Sequence, residues 1–188
     1  MANVNAPNGF VPLRHLTGGV IRANEYAIAN SYAANLASGD LVTLTTDGTV
    51  IRGTAGGTAL GVFYGVEYID NDTGDVKFKK VWSNATAVKS GTPIKAYVYD
   101  DPNITYAVQT NGVFATANVG ELANVTIGTY NSTYGHSTDE LDIATLATTA
   151  KVLRILRLID YPDNAAGADA SVEVVINLSL YGTQNAGV

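Results

Sequence analysis

The sequence predicts an all-β fold, a single β-sandwich or barrel preceded by an extended N-terminal arm, and three observations predict it. The first is the stretch Leu60 to Ile69. It alternates Leu60, Val62, Tyr64, Val66 and Tyr68 on one face with Gly61, Phe63, Gly65, Glu67 and Ile69 on the other. Both sets are mostly apolar, which places this strand centrally, covered on both sides. The second is a late alternating run, with Val172, Val174, Ile176, Leu178 and Leu180 set against Glu173, Asn177 and Ser179. The third is turn chemistry between apolar runs, at Asp47-Gly48 and at Asp100-Asp101-Pro102-Asn103. At 188 residues without a cysteine, the chain fits one domain that buries a core without disulfides.

Residues 1–37 read as the arm. Phe10, Val11, Leu13, Leu16, Val20 and Ile21 are apolar without a sustained period, and Gly9, Pro12, Gly18 and Gly19 interrupt any element. Ordering ~20 such residues costs on the order of 20–40 kcal/mol of backbone entropy. Offsetting that takes roughly 800–1,600 Å² of apolar burial at about 25 cal/mol/Å². The arm therefore lies on a surface, either its own domain or a neighbouring subunit. Asn24 to Ala37 is expected to form a short helical segment.

Residues 38–188 read as the β domain. Val42 and Leu44 run into the Asp47-Gly48 turn, and Val50 lies on the return strand. Gly53 to Thr58 is glycine-rich, but no Gly-Lys-Ser/Thr and no helix pattern follow, so it is no phosphate loop. Gly61 and Gly65 mark a close neighbour or a strong coil in the central strand. Asp70 to Asp75 connects it to Val76-Lys77-Phe78 as a hairpin, and a slip in the pattern suggests a bulge at Lys79-Lys80. Ile94, Ala96 and Val98, then Ile104, Tyr106 and Val108, read as a second hairpin across Asp100–Asn103. Residues 110–140 read as loops and edge strands. Residues 142–157 fit a helix by the spacing of Leu146, Ala150, Leu153 and Leu156, and a strand by Val152 and Ile155. A strand there would pair with the late run. The expected core is Val62, Val66, Val98, Tyr106, Val174 and Ile176.

The chemistry points away from catalysis. A net charge of -6 gives no basic stripe for nucleic acid, and Lys77, Lys79 and Lys80 read as a solvated strand face. No apolar run is long enough for a membrane span, and residues 1–20 do not read as a signal peptide. The acidic Asp70–Asp75 loop lacks the spaced glutamate and flanking helices of a calcium-binding EF-hand. Only His15 and His136 could act as a histidine base. Ser137 and Asp139 lie too near His136 in sequence for an ordinary triad. Neither cofactor nor metal is expected. The eleven tyrosines read mainly as packing residues, with sugar stacking as the functional alternative.

Several motifs give the chain a resemblance. They are Gly9-Phe10-Val11-Pro12 with Arg14-His15-Leu16-Thr17-Gly18-Gly19-Val20-Ile21-Arg22, then Gly39-Asp40, Gly61-Val62-Phe63-Tyr64-Gly65-Val66, Asp100-Asp101-Pro102, Pro162-Asp163-Asn164 and Val174-Val175-Ile176-Asn177. Through them the chain resembles the head decoration, or cement, proteins of tailed bacteriophages. The resemblance implies a β-rich virion protein without catalytic residues. It would be made in the host bacterial cytoplasm and bound to the outer surface of the phage head as a homotrimer that clamps the major capsid protein. Together with the arm argument it makes Phe10, Val11, Pro12, Leu13, Arg14, His15, Leu16, Val20, Ile21 and Arg22 the expected capsid or subunit contacts. The alternative is a receptor-binding or fibre-associated phage protein that recognises glycans.

Overall fold

A computed structural model describes residues 3–182, and the all-β class holds. The outermost residues of the expected arm and β domain, 1–2 and 183–188, lie outside the described residues. Two six-stranded sheets make up the body. One runs, in hydrogen-bonded order, Asn24–Ile28, Ile94–Tyr99, Gly61–Ile69, Leu41–Leu44 and Val50–Arg52, with Val76–Lys79 added beside Gly61–Ile69. The other runs Val11–His15, Ile104–Gln109, Ser171–Ile176, Leu153–Leu158, Leu122–Thr126 and Glu140–Ala147. Every pairing within them is antiparallel.

Each sheet curls back on itself. A parallel bridge joins Ala27 on one edge strand to Thr49 beside the other edge strand in the first. In the second, another joins Thr110, after the Ile104–Gln109 strand, to Leu141 on the far edge strand, leaving Val11–His15 outside the closure. The result is two small barrel-like units, each closing over its own interior. The first encloses Ile28, Val42, Val50, Phe63, Val66 and Val98, among others, with Tyr68 edge-on to Trp82 at 6.4 Å. The second encloses Tyr106, Val125, Leu141, Leu153, Ile155, Val172 and Val174. All six expected core residues are buried. One expected core is in fact two, and they are coupled. Leu41, Ala59 and Val62, from the first half of the chain, pack into the second core. Ala59 also exchanges backbone hydrogen bonds with Leu178 and Leu180 at 2.8 and 2.9 Å.

Several expectations are corrected. Asn24 to Ala37 is not helical: Asn24–Ile28 pairs with Ile94–Tyr99, and Leu36–Ala37 pairs with Val81–Trp82. Cross-strand pairing and burial of Ile28 and Leu36 override a weak local preference. Both strands, placed within residues 1–37, pair with strands from beyond residue 37. The Asp100–Asn103 turn does not close a hairpin, because Ile94–Tyr99 and Ile104–Gln109 lie in different sheets. The presumed bulge at Lys79-Lys80 is a change of partner, from Gly61–Ile69 before it to Leu36–Ala37 after it. Leu122–Thr126 is an interior strand, flanked on both sides. Residues 142–157 contain strand and no helix, and Leu153–Leu158 pairs with Ser171–Ile176 as the strand reading required. Leu180, expected inward, is exposed because the final strand ends at Ile176.

The central strand deviates most instructively. Its ladder to Ile94–Tyr99 shifts between Phe63 and Gly65, so Tyr64 is an extra residue. The bulge reverses the alternation. Val62 faces the second core, whereas Phe63, Val66 and Tyr68 face the first. Tyr64 is turned outward.

Candidate functional site: the N-terminal segment and the cleft beside it

The N-terminal segment packs along its own protein, one of the two surfaces considered for it. Gly9 adopts φ +62, and a Cβ there would sit 2.5 Å from the Ser137 Cβ and 2.8 Å from the Gly39 carbonyl. Only glycine fits this crossing. The Phe10 N–H then donates to the Gly39 carbonyl at 3.0 Å. Its ring is buried in the second core, edge-on to Tyr106 at 6.3 Å. Val11–His15 adds an edge strand to Ile104–Gln109, with a bulge at Leu13. Pro12 is tolerated there because an edge strand can forgo a ladder donor.

Arg14 and His15 are committed to internal bonds. Arg14 Nε meets Glu173 Oε1 at 2.7 Å, and Arg157 Nε meets Oε2 at 2.5 Å. Glu173 sits on the outward face of its strand yet is fully covered. Desolvation acts against its charge, but hydrogen bonds from Thr105, Arg14 and Arg157 outweigh it and hold the carboxyl below its usual range. His15 Nδ1 accepts from the Thr17 and Gly19 N–H groups at 3.3 and 3.0 Å. Its Nε2 is therefore the protonated nitrogen, donating to Asp101 Oδ2 at 2.9 Å. This knots the 15–19 turn onto the turn that crosses between the sheets.

Of the ten expected contact residues, Phe10 is buried and Ile21 packs against the second core. Pro12 and His15 are half-buried. Val11, Leu13, Arg14, Leu16, Val20 and Arg22 are exposed, and Leu16 and Val20 are 45% and 73% accessible. The stretch is thus partly core and partly presented outward. What separates the two is the pairing of Val11–His15 with Ile104–Gln109.

Beside this segment lies a cleft of about 910 Å³, which the sequence reading missed. Residues 5–12 form one wall, Ser38 and Gly39 its floor, and the hairpin Tyr130–Asn131/His136–Ser137 another wall. Aromatic faces come from two elements. Tyr64, raised by the bulge, packs at 5.4 Å from Tyr99 and 5.7 Å from Phe78. Tyr134 stacks on His136 at 5.8 Å with rings 9° from parallel. The hairpin tip is held by Asn131 Oδ1, which accepts from the Thr133 and Tyr134 N–H groups. The tyrosine count was the sole sequence signal for this site. Its other members lie too far apart in the chain to be joined without the fold.

Beneath the cleft floor is a buried charge cluster. Arg52 Nη2 reaches Asp139 Oδ1 at 2.6 Å and Asp40 Oδ1 at 3.0 Å. Ser137 Oγ accepts from the Asp139 N–H at 3.0 Å, and His136 stacks on Tyr134 instead of addressing Ser137. No triad geometry results. In the Asp70–Asp75 loop, Asp70 accepts from the Asp72 and Thr73 N–H groups and pairs with Lys77 at 2.7 Å. Among the described residues, no group of three His, Cys, Asp or Glu side chains is placed to hold a metal ion, and no helix is long and apolar enough to cross a membrane.

Fold and surfaces together define an all-β protein of two coupled barrel-like units, with an N-terminal edge strand and an aromatic cleft. No family model, curated protein or solved structure matches the chain.

Proposed function

We propose that this chain is a structural virion protein that decorates the outer surface of a tailed-phage head. It would bind the major capsid protein, associate as a homotrimer and stabilise the shell by crosslinking capsid subunits, without catalysis. The carrying observation is the exposed apolar run Leu13, Leu16 and Val20, with Arg14 and Arg22, fixed to a sheet edge by ladder bonds and by His15. Apolar side chains fixed outward on a rigid body suit docking to another protein, because little conformational entropy remains to be lost on binding. The motif resemblance supplies the shell as the partner.

Counting copies in purified virions by mass spectrometry tests the reading. Hundreds of copies per particle are expected, and a handful would overturn it in favour of a tail or fibre component. A double variant, Leu16→Asp with Val20→Asp, tests the contact set. Both positions are exposed, so the melting temperature should hold while occupancy on shells falls. Full occupancy would remove this segment from the interface. Truncating residues 1–22 is a poorer test, because it also takes Phe10 out of the core.

A further inference from the structure

We propose that the cleft beside the N-terminal segment binds a short acidic saccharide. The reading does not depend on shell decoration, since the cleft and the exposed apolar run use different residues. At about 910 Å³ the cleft lies near the upper end of small-molecule sites. Its walls combine two kinds of group that sugars require. Tyr64 and Tyr134 are 43% and 68% accessible, and such rings are surfaces on which the apolar C–H face of a pyranose can stack. Both are held in place before any ligand arrives, Tyr64 between Tyr99 and Phe78, Tyr134 upon His136. Little side-chain entropy is then lost on binding.

The polar groups are uncommitted. Among the described residues, the Asn8 amide, the Ser38 hydroxyl, the His136 ring nitrogens and the Lys80 ammonium make no hydrogen bond or ion pair, and all four residues line the cleft. Asn131 uses only its Oδ1, which leaves its amide N–H groups available. Amide, hydroxyl and imidazole are donor–acceptor groups suited to neighbouring sugar hydroxyls. Charge selects the class further. The chain carries 17 Asp and Glu against 11 Lys and Arg, yet no carboxylate lines the cleft and Lys80 does. A carboxylate on the sugar would find a cation and no repulsion. A nucleotide fits less well, because one lysine, without a helix N-terminus or glycine-rich loop, is a poor phosphate cradle.

The test uses the purified full chain on an array of neutral, uronate-bearing and sialate-bearing glycans, followed by calorimetric titration of the best-retained glycan. Retention of an acidic glycan is expected. Tyr134→Ala should weaken it about tenfold, as the loss of one aromatic stacking contact implies. Lys80→Gln should abolish the preference for acidic over neutral forms. Both side chains are exposed, so both variants should melt like the parent protein. No retained glycan, or binding that neither substitution weakens, overturns the proposal. Retention of neutral glycans alone overturns the acidic class. Saturable binding of adenosine monophosphate without any retained glycan reassigns the cleft to nucleotides and overturns it as well.

Discussion

Asp40 is a residue whose position bears on the protein's response to pH. It is fully buried at the start of the Leu41–Leu44 strand, where its Oδ2 accepts from the Ala37 N–H at 2.8 Å. It shares Arg52 with Asp139, so two buried carboxylates face one guanidinium. Desolvation pushes Asp40 from 3.8 up to about 6; Arg52 opposes the rise and Asp139 adds to it. Asp139 is raised too, again chiefly by burial. A carboxyl whose folded pKa exceeds its unfolded value holds its proton longer in the folded state, so stability falls as pH rises between the two values. For Asp40 the window runs from 3.8 to about 6, and the loss is complete above it. The displacement corresponds to ~3 kcal/mol. Asp101 and Glu173 act in the opposite sense. Their pKa values are lowered, the first mainly by the Asn103 N–H, and their contribution is lost as pH falls below the ordinary carboxylate range. The expected result is a melting temperature that peaks near pH 4–5 and declines toward pH 7. Asp40→Asn should flatten that decline, whatever it does to the absolute stability. An equally steep decline in the variant would show that the cluster does not carry the effect.

At the scale of elements, strands were legible where alternation met β-branched and aromatic residues. The Asp47-Gly48 hairpin formed as its pattern requires, and the late run and the central strand are strands, although the first stops at Ile176 and the second changes faces at Tyr64. Their partners were less legible. A turn motif such as Asp100-Asp101-Pro102-Asn103 specifies a local reversal, and local chemistry is the same whether the chain returns to its own sheet or steps to another. The bulge at Tyr64 was hidden for a related reason: both faces of that strand are apolar, so a one-residue slip leaves no mark in the hydrophobic pattern. The glycines did carry information. A Cβ on Gly61 would lie 2.0 Å from the Tyr99 carbonyl oxygen and 2.9 Å from the Asp100 Cα, both backbone atoms that cannot rotate away. That contact sits where the chain leaves one sheet for the other. Gly61→Ala should therefore destabilise by several kcal/mol, the range of overpacked core positions and above. Gly48→Ala serves as the comparison, since a Cβ there meets nothing within 4 Å and only its φ of +74 is unfavourable. Chemical denaturation of the two variants checks the order, and a Gly61→Ala protein as stable as Gly48→Ala would contradict the close approach.

For the whole molecule, the question is whether two cores mean two independent domains. Three features tie them together. Leu41, Ala59 and Val62 leave the first sheet's segment of the chain to complete the second core. Arg52, from the first sheet, neutralises Asp139, which precedes a strand of the second. Phe10 enters the second core, while its N–H bonds the Gly39 carbonyl between the two. Unfolding the first unit alone would strip apolar side chains from the second core and strand Asp139 as an unpaired buried charge, a loss of several kcal/mol. Set against a marginal stability of ~5–15 kcal/mol for a whole domain, that loss is a large share of what one small barrel has to keep it folded. The aromatic cleft depends on the same coupling, because Tyr64 and Tyr99 come from the first sheet, whereas Tyr134 and its hairpin belong to the second sheet's side of the chain. Scanning calorimetry should accordingly show one transition whose calorimetric and van't Hoff enthalpies agree. A fragment comprising residues 101–188 should fail to show cooperative unfolding. Two resolved transitions, or a fragment that melts cooperatively on its own, would mean that the units are separable and that the shared residues are interface, not core.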